Sequence, residues 1–184
     1  MSTGTSLLGV NIIKPEISIA AEKQVAVAVF QNGLTGSLNF LQIGASVNEP
    51  VLIVGELRGL SPGSHGFHVH KYGDISNNCV AASSHYNPFN TTHGGQLSLE
   101  RHVGDLGNIW ANAQGIAKVE KLDYQLKLRG PTSVIGRAVV VHAKEDDLGL
   151  GGNAESLKTG NAGARIGCAV IGIGDSQAAG RKVQ

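Results

Sequence analysis

The sequence predicts an all-β domain of about eight short antiparallel strands, folded as a sandwich or small barrel. Three observations carry that prediction. Apolar residues alternate with polar ones along most of the chain, and no segment keeps a helical repeat beyond one or two turns. Glycine supplies 26 of 184 residues, about double its ordinary share of ~7%. Charged residues make up 16% and aromatics 4%, which suits strands joined by tight turns better than a helical bundle. A hydrophobic content of 41% is enough for one packed core at this length.

Taken in order, Val25, Val27 and Val29 alternate with alanines. Leu34, Gly36, Leu38 and Phe40 alternate with Thr35, Ser37 and Asn39. Val51 to Leu57 is an apolar run ended by Arg58-Gly59, and Phe67 to Lys71 is the fourth segment. Ile116 to Val119 follows the turn at Asn112 to Gly115. Leu122, Tyr124, Leu126 and Leu128 then face away from Lys121, Asp123, Gln125, Lys127 and Arg129, the clearest amphipathic pattern in the chain. Ile135 to His142 and Ile166 to Ile173 complete the set. Residues 73–101 and 143–164 resist strand assignment, and loops of that length inside a compact domain are usually functional.

A net charge of +1 argues against a nucleic-acid partner, and no run of 18 apolar residues offers a membrane span. The N-terminus lacks the basic region of a secretion signal. The compartment therefore stays open between the cytoplasm, which is favoured, and an extracellular mature form. Asn90-Thr91-Thr92 fits the glycosylation pattern, a triplet common by chance.

The histidines point to chemistry. In a strand, His68 and His70 share one face, so both imidazoles can reach one ion. His85, His93, His102 and Asp105 follow, with 14, 7, 8 and 2 residues between successive members counted from His70. His142 ends a strand at the mouth of the second long loop. Six of seven histidines thus read as ligands at strand ends or inside one loop. Imidazoles suit copper and zinc, and three imidazoles with one carboxylate suit tetrahedral zinc. Cys79 and Cys168 are 89 positions apart, which excludes a thiolate cluster. They read as one disulfide tying the first long loop to the last strand, or as two buried thiols.

Several blocks resemble the copper/zinc superoxide dismutase family. They are Gly66-Phe67-His68-Val69-His70, Gly73-Asp74, His85-Tyr86-Asn87-Pro88, His93-Gly94-Gly95 and Arg101-His102-Val103-Gly104-Asp105-Leu106-Gly107-Asn108. Val140-Val141-His142 with Asp146-Asp147-Leu148-Gly149, and Lys158 to Gly163 with Arg165, continue the pattern. The resemblance implies an immunoglobulin-like Greek-key sandwich with two long functional loops over residues 23–174, preceded by an extension (1–22) and followed by a tail (175–184). It also implies dismutation of superoxide to dioxygen and hydrogen peroxide by copper cycling.

The same resemblance implies roles. His68, His70, His85 and His142 would bind copper, and His85, His93, His102 and Asp105 zinc, with His85 bridging. Asp146 would orient one histidine of each set. Arg165 would meet the superoxide anion and, with His85, form the catalytic pair. Lys158, Glu155 and Thr159 would guide the substrate. Cys79 and Cys168 would form the family's disulfide, and His65 would be structural. Gly73, Ile135, Gly136, Val170 and Ile173 match a homodimer interface, and a copper chaperone is the maturation partner the family implies.

Three positions depart from the pattern: Ala143, Ala154 and Leu157 stand where relatives commonly carry polar or acidic residues. Trp110 is also unusual and reads as a packing residue. The alternative class is a metal-binding module that keeps the fold without activity, such as a delivery chaperone. A chaperone would carry an extra close cysteine pair, and none occurs.

Overall fold

Alternation of side chains along each strand leaves one face to be buried, and two such faces bury each other here. The computed structural model describes residues 23–44 and 46–175. The extension 1–22 and all of the tail but Asp175 lie outside the described residues. Nine strands run in chain order: β1 Lys23–Phe30, β2 Thr35–Ile43, β3 Val51–Arg58, β4 Gly63–His70, β5 Asp105–Ala111, β6 Ile116–Asp123, β7 Ala138–His142, β8 Arg165–Val170 and β9 Gly172–Ile173. They form two sheets, ordered β6-β3-β2-β1-β9 and β5-β4-β7-β8, with antiparallel pairing throughout. Pairing of β3 with β6 and of β4 with β7 gives the Greek-key crossovers of an open sandwich. No helix among the described residues is long and apolar enough to cross a membrane.

Between the sheets Ala26, Ala28, Phe30, Leu38, Phe40, Ile53 and Leu57 from one side meet Phe67, Val69, Ile109, Val139, Val141 and Ala169 from the other. On β4 this directs Phe67 and Val69 inward and His68 and His70 outward, yet both histidines are also buried. The two long loops cover that outer face. Cys79 and Cys168 are joined, with their Cα atoms 6.0 Å apart, and clip the loop turn at Val80–Ala82 onto β8. In the chain-entropy model a loop of this length contributes on the order of 4–5 kcal/mol.

The strand expectations need four corrections. The pattern from Leu122 to Leu128 is not a strand. β6 ends at Asp123 because its carboxylate accepts the Gln125 and Leu126 amides at 2.9 and 2.7 Å and turns the chain. Tyr124 is left exposed while Leu126 and Leu128 enter the core. β5 arises within a block read only for its ligands. Ile166 to Ile173 divides in two, since Val170 pairs with Ala138 but Gly172 pairs with Val27 of the other sheet. Trp110 is exposed on β5, an edge strand, so it does not pack in the core.

Phe40 is fully buried at the centre of the sandwich. Phe40→Ala should destabilise the protein by about 3–5 kcal/mol, read as a lower guanidinium midpoint at unchanged slope.

Candidate metal centre

Outward-facing β4 residues, the end of β7 and the two loops converge on one buried cluster. His68 and His70 lie opposite Val140 and Ala138 of β7, and His70 bridges to His85 on the first loop. A bulge between Gly66 and His68 brings Asp105, the first residue of β5, opposite His68. A second register shift sets His142 opposite Arg165. Two donor groups result, His68/His70/His85/His142 and His85/His93/His102/Asp105, each with its ligand-type atoms within 4.8 Å of one another. All seven side chains are buried.

The hydrogen bonds select which nitrogen of each ring is left for an ion. His68 Nε2 lies 2.9 Å from Asp146 Oδ2, and its Nδ1 has no partner. His70 Nδ1 bonds the Ser83 carbonyl at 2.8 Å and His142 Nδ1 the Gly163 carbonyl at 3.0 Å, so their Nε2 atoms face each other at 3.2 Å. His85 Nδ1 sits 2.8 Å from Asp105 Oδ1, while its Nε2 is buried without a partner. His93 Nε2 bonds Asp146 Oδ1 at 2.8 Å. Its Nδ1 approaches Asp105 Oδ2 at 3.0 Å without hydrogen-bond geometry, as two converging ligands do. His102 Nδ1 is 3.0 Å from Asp105 Oδ1. Three buried imidazole nitrogens without hydrogen-bond partners (His68 Nδ1, His85 Nε2, His93 Nδ1) fit bound cations. The donor sets, four imidazoles and three imidazoles with a carboxylate, fit copper and zinc.

Electrostatics follow the same geometry. Burial, reinforced by the charge of His85, holds His68 and His70 well below the ordinary imidazole range. Burial likewise lowers His85, and lowers His142 to about 4. Burial works against the charge on His93 too, but the adjacent carboxylates of Asp105 and Asp146 outweigh it and raise the ring to about 9. Burial alone would raise Asp105 and Asp146; the neighbouring imidazoles reverse this and hold both well below the usual carboxylate range.

Asp146 thus contacts one histidine of each group, as expected. The sequence reading missed what holds it: Asn108 accepts the Asp146 amide at 2.8 Å and donates to its carbonyl at 2.9 Å. His65 bonds the carbonyls of His142 and Ser61 and joins neither group. The Ser83 and Gly163 carbonyls were also missed, because a backbone acceptor leaves no mark in a side-chain pattern.

A cavity of about 310 Å³ opens on the first group, lined by His70, His85, His142, Glu155, Thr159 and Arg165. Arg165 donates to the carbonyls of Cys79, Val80 and Ser83. Thr159 bonds Glu155 at 2.8 Å. Lys158 is exposed on the short helix Ser156–Thr159 and does not line the cavity. A larger groove of about 570 Å³ beside Cys79 and Cys168 contains no histidine.

A β-sandwich whose loops bury two donor groups sharing one imidazole defines a binuclear metalloprotein. The profile of the copper/zinc superoxide dismutase family matches residues 34–171. A Cu-Zn superoxide dismutase of Paramecium bursaria Chlorella virus 1 is 50% identical over 181 residues, covering 94% of this chain and 95% of its own length. One of Candida glabrata is 53% identical over 152 residues, 82% of this chain and 97% of its own. An extracellular superoxide dismutase of Onchocerca volvulus is 54% identical over 157 residues, 83% and 77% of the two chains. The chain belongs to the copper/zinc superoxide dismutase family.

Acid should therefore destabilise the metal-stripped protein. The histidines with depressed folded values bind protons more readily when unfolded, so stability falls as pH drops from about 6.5. For His142, lowered to about 4, the loss reaches on the order of 3 kcal/mol below pH 4. His93, raised to about 9, acts oppositely and gives a decline between pH 6.5 and 9. Melting temperatures of chelator-treated protein across pH 4–9 should show both slopes, the acid one the steeper.

Proposed function

We propose that the chain converts two superoxide anions and two protons to dioxygen and hydrogen peroxide. In this reading His68, His70, His85 and His142 hold copper, and His85, His93, His102 and Asp105 hold zinc. Arg165 and His85 act on the substrate. The observation that carries it is His85, whose Nε2 is unpartnered in one donor group while Nδ1 meets Asp105 in the other. The names of the relatives support the activity. Copper held by the first group would supply one-electron redox chemistry in both directions, and zinc held by the second, fixed in oxidation state, would add a structural charge.

Arg165 is clamped by three backbone carbonyls with its guanidinium at the cavity wall, where it attracts and orients a small anion. His85 Nε2 takes up a proton and delivers it to the reduced substrate; water entering the cavity delivers the second. Lys158 acts at longer range, an effect that added salt weakens. Glu155 and Thr159 shape the entrance. Asp146 keeps His68 and His93 oriented.

The assembly in this reading is a homodimer through Gly73, Ile135, Gly136, Val170 and Ile173, with Ile173 strongly exposed. A copper chaperone loads the site. Light scattering at micromolar concentration should give twice the chain mass; a monomer mass overturns the dimer.

Superoxide consumption by copper- and zinc-loaded protein, with metal content measured in parallel, tests the function. Activity well above that of free copper is expected. Full loading without it would leave a metal-binding module. Arg165→Glu should lower the rate by about 10-fold or more, since it inverts the charge that steers the anion, with metal content unchanged.

A further inference from the structure

Outside the ligand groups, the described residues contain one ion pair with both side chains buried and no histidine, Arg101 with Asp123, at 2.7 Å. Arg101 immediately precedes His102. Its Nη1 donates to the carbonyls of His102, Val103 and Asp105, three acceptors on the turn that presents His102 and Asp105. Its Nη2 is held by Asp123 Oδ2 at the end of β6. Asp123 is itself fixed, because Oδ1 accepts two backbone amides and Oδ2 also accepts Gln96.

We infer that the Arg101–Asp123 pair is a positioning device for the zinc-side ligands, acting through the backbone carbonyls of the His102–Asp105 turn. The inference rests on the zinc assignment given above. Buried ion pairs add little stability over apolar groups of the same volume. An apolar pair, however, cannot donate to three carbonyls at once. The planar guanidinium can, provided a carboxylate fixes its other edge. Asp123 anchors that edge to the five-stranded sheet, so the turn is tied to a sheet to which neither of its ligands belongs. Groups that orient metal ligands from outside typically change metal affinity about 10–100-fold when lost.

The test is zinc competition against a chromophoric chelator with the full-length, copper-free protein, alongside Co²⁺ absorption spectra. Asp123→Asn keeps the amide-capping oxygen but removes the charge that holds the guanidinium. Arg101→Lys keeps the charge pair but loses the fork. Both variants should bind zinc about 10–100-fold more weakly than wild type and shift the Co²⁺ bands, while the Cu²⁺ spectrum of the copper-loaded protein stays unchanged. A merely structural pair would lower the melting temperature and leave affinity and Co²⁺ spectrum at wild-type values; that result overturns the inference. Should Asp123→Asn fail to fold, Arg101→Lys decides alone. A wild-type chain that takes up no zinc overturns the metal assignment and this inference together, whereas wild type and variants binding zinc equally overturns only the inference.

Discussion

The site depends on one buried carboxylate. Asp146 is 1% exposed, and its two oxygens take Nε2 of His68 and Nε2 of His93. Each bond removes one nitrogen from competition and leaves Nδ1 of that ring aimed into its donor group. Two rings on different segments, a strand and a loop, are thereby set by one anion. The carboxylate is braced in turn: Asn108 of β5 brackets the Asp146 backbone, and Leu148 donates its amide to Oδ1 at 2.7 Å. Gly160 passes so close to Asp146 and His93 that a Cβ there would collide with both, so the second long loop can close over the pair only with glycine at that position.

This brace has an electrostatic consequence. Six imidazoles and two carboxylates lie together out of water, and charge there is tolerated only when paired. His68, His70, His85 and His142 are held toward the neutral form, the form in which an imidazole lends its lone pair to an ion. Asp105 and Asp146 are held ionised. His93, which touches both acids, is the exception, since their charges favour its protonated form. This pattern of shifts comes from burial and placement.

How much of this was legible in the sequence differed by feature. The six histidines were legible as ligands because ligand chemistry demands rare residue types; their division into two groups was implied only by the family resemblance, and the structure brings the same side chains together. The sandwich was legible in the alternation of β1, β2 and β3. Leu122 to Leu128 misled because periodicity reports the faces of a strand and not its end. The end was written in Asp123, whose side chain captures the amides that a continuing ladder would have used. β5 was hidden for the opposite reason, its residues having been read for chemistry rather than period. The carbonyl clamps on His70, His142 and Arg165 had no sequence signal, since any residue supplies a carbonyl.

Substrate access depends on local charge more than on the total. A net charge of +1 describes the whole chain, whereas an approaching anion meets the cavity wall, where Arg165 is the cation and Glu155 the acid. Glu155 accepts the Thr159 hydroxyl, and Arg165 is turned onto the carbonyls of the disulfide-clipped loop. Both charges are therefore fixed in place, and the field they make is set by backbone geometry. Leu157 and Ala154, which replace polar residues of the family pattern, are exposed on the same segment and bring no charge to oppose it. In the proposed reading, steering therefore rests on Arg165, the cation among the residues that line the cavity.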